Sequence, residues 1–83
     1  MDIVRRNVKL HRVRSSAIDA VGYDPERRCL EVRWAGQRRV YRYHRVLVEE
    51  YRDLLKAESK GSYVNEQIKP RYFCEMIDEA EGS

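Results

Sequence analysis

Up to His44 the apolar residues of this chain recur with a period of two, and beyond it they return at three- and four-residue steps. Strand side chains alternate between faces, whereas helix side chains return every third or fourth position, so strands should come first and helices second. Cys29-Leu30-Glu31-Val32-Arg33-Trp34 places Leu30, Val32 and Trp34 on one face, with Glu31 and Arg33 on the other. Ala35-Gly36-Gln37 supplies a short turn, and Arg39 to His44 reads as the next strand. Ahead of both, Ile18 to Tyr23 has strand composition, and Asp24-Pro25-Glu26-Arg27 carries turn chemistry. Proline presets φ at the second turn position, and Asp24 can accept from the backbone ahead of it. Three strands with tight connections are most simply an antiparallel meander.

Beyond His44, Leu47, Val48, Tyr51, Leu54 and Leu55 define an amphipathic helix of about three turns. Its acidic residues lie near the N-terminal end and Lys56 near the other, as the helix dipole favours. Ser59-Lys60-Gly61 is expected to end it, with Gly61 left-handed. Ser62 is expected to cap a second, shorter helix that Pro70 closes. Tyr72 to Ile77 should pack back on the core. The expected fold class is α+β: a three-stranded antiparallel β-meander followed by one longer and one short α-helix on one sheet face. The expected domain organisation is a basic N-terminal extension over residues 1–11, a folded domain over 12–77 and an acidic tail over 78–83.

A chain of 83 residues can bury roughly 60% of the surface its unfolded form exposes, enough for one core. No apolar run approaches the ~18–20 residues that span a bilayer. Polar residues follow Met1 to Arg6, where a secretory signal would need an apolar stretch, so no membrane partner and a cytoplasmic location are expected. Cys29 and Cys74 lack a second Cys or a His at metal-ligand spacing, so free thiols and no metal site are expected. There is no Gly-rich phosphate loop, and neither His11 nor His44 has a nucleophile or carboxylate at motif spacing. No catalytic residue and no cofactor are expected.

Charge is more informative in its distribution than in its total. Residues 1–45 carry 12 Lys/Arg against 5 Asp/Glu, whereas residues 46–83 carry 5 against 9. In the basic half, Tyr41 and Tyr43 share one strand face. They can form a stacking platform for unpaired bases, or they can belong to the core. The opposite face would carry Glu31, Arg33, Val40, Arg42 and His44, with Arg38 and Arg39 at its margins, and is expected to be wet and mostly cationic. Guanidinium groups there can bind phosphate, or they can pair with Glu31 or Asp19 across strands. Residues 5–14 can act as a basic arm or as a solubilising extension. Ser59, Gly61 and Asn65 fit helix ends more simply than a polar site, and Lys69-Pro70-Arg71 can extend a basic surface or simply end a helix.

Several pieces of the sequence occur in a telling order. They are Ser15-Ser16-x-Ile18, Val21-Gly22-Tyr23-Asp24, Leu30-x-Val32, Tyr41-x-Tyr43, Ala57-x-Ser59-x-Gly61 and Tyr63-Val64-Asn65-x-x-Ile68-Lys69-Pro70-x-Tyr72. Together they resemble the KTSC domain, named for the C-terminus of some lysyl-tRNA synthetases, over about residues 12–72. One departure is Leu47, where members often carry proline at the helix start. The resemblance implies a small standalone domain for which RNA binding is the usual suggestion. The function expected is therefore a non-catalytic module that binds RNA, whether tRNA or a single strand. Arg33, Arg39 and Arg42 would hold phosphate, with Tyr41 and Tyr43 as stacking groups. The alternative is a protein-interaction module, monomer or homodimer, that docks an acidic partner or pairs through an edge strand.

Overall fold

The computed structural model describes residues 9–78. Residues 1–8 of the basic extension and residues 79–83 of the acidic tail lie outside the described residues. The elements run β1 (His11–Arg12), β2 (Ile18–Asp24), β3 (Cys29–Trp34), β4 (Arg39–Tyr43), α1 (Val48–Lys56), α2 (Lys60–Tyr63), a π-helical segment (Val64–Ile68) and β5 (Cys74–Asp78). The fold is α+β, and its sheet has five strands in the order β1-β2-β3-β4-β5, every pair antiparallel.

The central meander β2–β4 matches the expected three strands, but the sheet is wider by one strand on each side. Two residues are too few for β1 to show a period. In β5 the free edge of β4 recruits a segment in which Met76, although on the same face as Tyr41, remains 53% exposed, so burial leaves no clean alternation in the sequence. β5 therefore forms an edge strand, while Tyr72 and Cys74 pack against the core as expected.

Register builds the core. Leu30 lies opposite Tyr43, and Val32 lies opposite Tyr41 and Val21. A bulge between Ile18 and Ala20 lets Ile18 and Val21, three residues apart, both face inward, which regular alternation forbids. Val46, Leu54, Val64 and Ile68 close over this face, all fully buried. Each such side chain stabilises the fold by roughly 1.5–3 kcal/mol relative to exposure.

The turns follow local chemistry. Asp24 Oδ1 accepts from Glu26 N at 3.0 Å, and Gly36 at φ 78° makes the β3–β4 turn in the left-handed region. Leu47 caps α1 with extended backbone at φ −72°, an angle proline would also adopt, so the departure from proline leaves the entry geometry unchanged.

The helix boundaries differ from expectation. α1 ends at Lys56, and Ser59, not Ser62, caps α2, its hydroxyl accepting from Ser62 N at 3.3 Å. Gly61 lies inside α2. Its role is close approach: an added Cβ would stand 2.8 Å from Ala17 Cβ. α2 then widens without a break into the π-helical segment, where Lys69 N donates to Val64 O at 2.8 Å, five residues back.

Cys29 and Cys74 are free, as expected. Cys74 lies opposite Tyr43 in register, whereas Cys29 shares the other sheet face with Glu31, so the sheet separates them. Among the described residues, no helix is long and apolar enough to cross a membrane.

Candidate functional site

The sheet face turned away from the helices departs from the wet cationic surface expected. Glu31 and Val40 on it are fully buried. Register sets Arg42 between Glu31 and Glu75 on the neighbouring strands, and Arg42 Nε meets Glu31 Oε2 at 2.9 Å. The bulge at Asp19 brings its carboxylate to Arg33 Nη2 at 3.2 Å. Both arginines thus hold carboxylates of their own chain, because acidic residues stand beside them on adjacent strands.

His44 has partners that sequence spacing concealed. It stands directly across from Cys29, whose Sγ lies 3.7 Å from His44 Nδ1, and His44 Nε2 lies 2.9 Å from Glu75 Oε1. Thiol, imidazole and carboxylate occur in the order that can activate a cysteine. Here, however, Cys29 is buried, and that burial pushes its thiol above the ordinary value despite the nearby Arg42 charge. A buried, protonated thiol is a poor nucleophile. The constellation is best described as a cross-strand polar cluster. Among the described residues, no group of three or more His, Cys, Asp or Glu could hold a metal ion.

The helix-covered face carries a different arrangement at its uncovered end. Trp34 ends β3, Gln37 sits in the following turn, Tyr41 comes from β4, and Asn65 and Lys69 come from the π-helical segment and its C-cap. These five side chains line a groove of about 230 Å³. Trp34 and Tyr41 are half-buried and pack against the core, while Gln37, Asn65 and Lys69 are exposed. Lys69 Nζ stands 5.8 Å from the centroid of the Trp34 ring, within cation–π range. Past Gln37 the groove meets a second recess lined by Gly36, Gln37, Arg38 and Arg39. Arg39 shares the Tyr41 face by alternation, and its Nη1 lies 3.6 Å from Met76 Sδ. Among the described residues, Arg38, Arg39 and Lys69 form no ion pair.

The five residues singled out in the sequence are thus divided by the sheet. Tyr41 lines the groove, and Arg39 lines the adjoining recess. Arg33 and Arg42 lie on the opposite face in ion pairs. Tyr43 is core, and burial drives its hydroxyl strongly upward, with the Cys74 thiol as a polar neighbour. Of the other groove residues, Trp34 reads in the sequence as a core position and Gln37 as part of a turn, whereas Asn65 and Lys69 read as either a polar or basic surface or simple helix-end groups. Asn65 and Lys69 also fall within the pieces that carry the family resemblance.

Known proteins share both the sequence and the fold. The chain is 48% identical over 60 residues to a protein of Tsukamurella paurometabola, covering 72% of this chain and 88% of that one. It is 38% identical over 61 residues to an uncharacterised protein of Stutzerimonas stutzeri, covering 74% and 84% respectively. The crystal structure of a KTSC domain protein from Yersinia pestis superposes with a TM-score of 0.79 at 32% identity, covering 86% of this chain and 99% of that one. The KTSC domain model matches residues 14–72, from just before β2 to the tyrosine that precedes β5, and with these relatives it establishes that the chain belongs to the KTSC domain family.

Proposed function

We propose that this domain binds single-stranded nucleic acid, RNA foremost, through the groove between Trp34 and Tyr41. The observation that carries the reading is the convergence of two half-buried, groove-lining aromatic residues with Arg38, Arg39 and Lys69, three cations without a carboxylate partner among the described residues. Aromatic faces stack on bases of any identity, and cations around them hold the backbone. Arg33 and Arg42 fit this role less well, because phosphate would have to displace Asp19 and Glu31.

Fluorescence anisotropy with labelled tRNA and a labelled single-stranded RNA, titrated in salt, tests the reading. Binding should weaken with a log–log slope of about 0.7 per phosphate neutralised on a single strand. The Arg38→Ala/Arg39→Ala/Lys69→Ala variant should lose most of it. Absence of binding at low salt would remove the reading. A second reading rests on β5, one of the two edge strands of the sheet among the described residues, flanked by Phe73 at 72% exposure. Such an edge can pair with a strand of another chain. A concentration-dependent mass in light scattering that Phe73→Asp abolishes would favour it.

A further inference from the structure

We infer that the groove takes one unstacked nucleobase, so that the ligand is an unpaired nucleotide within a single strand and not a duplex backbone. This deepens the nucleic-acid reading and rests on it. The groove is small: at about 230 Å³ it falls below the ~300 Å³ at which pockets for larger organic ligands begin, and suits one flat ring system.

Its chemistry is also more than a phosphate site requires. Phosphate recognition needs cations and N–H donors. This groove instead has aromatic walls, Trp34 and Tyr41, and two amide side chains, Gln37 and Asn65. Each amide offers both a donor and an acceptor, the mixed pattern that a base edge presents. In a duplex those edges are paired and the ring faces are stacked, so only an unpaired base can supply both to such a groove.

The cations stand where the backbone would run. Lys69 lies on the helix side of the rings, and Arg38 and Arg39 lie beyond Gln37 on the turn side. A base seated between them would place its two flanking phosphates toward opposite cations. Gly36 adds no side chain to that recess, and nothing lies within 4 Å of where its Cβ would stand, so a sugar–phosphate backbone can approach there. Lys69 Nζ stands over the indole at cation–π distance, so a base stacking on that face must displace the ammonium, which can then turn to the adjoining phosphate.

Trp34 is the chain's one tryptophan, which makes its emission a direct reporter of the groove. The full chain is titrated with a short oligoadenylate, with its duplex with oligouridylate, with an abasic strand of equal phosphate number, and with AMP. Anisotropy of the labelled strands is read alongside the emission. Oligoadenylate should quench Trp34 and bind on the order of tenfold or more tighter than the duplex and the abasic strand, as one stacked base can supply. Asn65→Ala and Gln37→Ala, both at exposed positions, should reduce that preference. Equal affinity for all three strands without quenching would overturn base insertion while the charge-based reading stands. AMP binding as tightly as the strand, with the same quenching, would overturn the claim that the ligand is a strand. No binding of any probe at low salt would overturn both readings together.

Discussion

The Tyr63 hydroxyl donates to Glu50 Oε2 at 2.6 Å, and that bond ties the first helix to the second. The other carboxylate oxygen accepts from the Tyr72 hydroxyl at 3.0 Å and lies 3.4 Å from Arg71 Nη1. One side chain on α1 thereby gathers α2 and the segment that leads into β5. Burial alone would push the Glu50 carboxyl up. The bonds from Tyr63 and Tyr72 and the charge of Arg71 outweigh it and hold the carboxyl below its ordinary value. The phenols move the other way, raised first by burial and then by the carboxylate they bind.

A pH dependence follows from the direction of that shift. A carboxyl whose value is lower folded than unfolded adds stability at pH above the unfolded value, about 4.3, and surrenders it as pH falls through the folded value. Urea midpoints should therefore decline from about pH 5 downward, and Glu50→Gln should flatten this part of the acid limb while lowering stability at pH 7. Tyr63→Phe should remove about 1.5–3 kcal/mol at pH 7, the range for a bond to a charged group. The double variant should lose less than the sum of the two. Superimposable acid limbs for wild type and Glu50→Gln would show that Glu50 carries no such linkage.

The arginines should separate by stability before any ligand is added. Arg42→Ala removes the 2.9 Å partner of the fully buried Glu31, a charged hydrogen bond whose loss should cost about 1.5–3 kcal/mol. Arg38→Ala and Arg39→Ala, at exposed positions, should fall within about 0.5 kcal/mol of wild type. Chemical denaturation of the three single variants measures this. Equal stability for all three would mean that the Arg42–Glu31 pair contributes no more than a solvated one. The comparison also governs binding experiments, since an Arg42 variant can lose ligand through unfolding alone.

What was legible in the sequence is what local chemistry determines. β2, β3 and β4 stand out because each alternates and each is bounded by a turn with its own residues, Asp24-Pro25 and Ala35-Gly36. The first helix stands out through the spacing of Leu47, Tyr51 and Leu54. β5 does not, because its pairing depends on a β4 edge more than thirty residues earlier. Gly61 misled for a similar reason: a glycine after a helical run signals a left-handed stop, and only the approach of Ala17, distant in sequence, makes it a contact residue. The groove was half legible. Tyr41 and Arg39 were identified on chemistry, but Trp34, Asn65 and Lys69 meet them only through the crossing of the π-helical segment over the sheet end.

The two thiols should react in a fixed order. Burial raises both, but Cys29 is buried and Cys74 is only partly so. Iodoacetamide labelling of the native protein, followed by mass spectrometry, should modify Cys74 first, and both should react more slowly than a free thiol at pH 8. Faster labelling at Cys29 would mean that the His44–Glu75 pair draws its proton after all, and His44→Gln should then slow it.

The contact between Gly61 and Ala17 permits a test in which a methyl group is moved and not merely added. Gly61→Ala gains about 1 kcal/mol of helix propensity at a position inside α2. It also places a Cβ 2.8 Å from Ala17 Cβ, whereas carbon atoms in favourable contact sit about 3.5–4.0 Å apart. Overpacking of this kind typically costs about 1–3 kcal/mol, so the steric term should win and the variant should melt several degrees lower. Relief requires α2 to move away from the loop before β2. Since α2 continues directly into the segment that carries Asn65 and Lys69, the same shift should open the groove and weaken ligand binding. Ala17→Gly alone should matter little, because Ala17 is exposed. Combined with Gly61→Ala it removes the opposing methyl, and both stability and binding should return to near wild type. If Gly61→Ala proved neutral or stabilising on its own, α2 would have room that the 2.8 Å approach denies, and the glycine would serve no packing role.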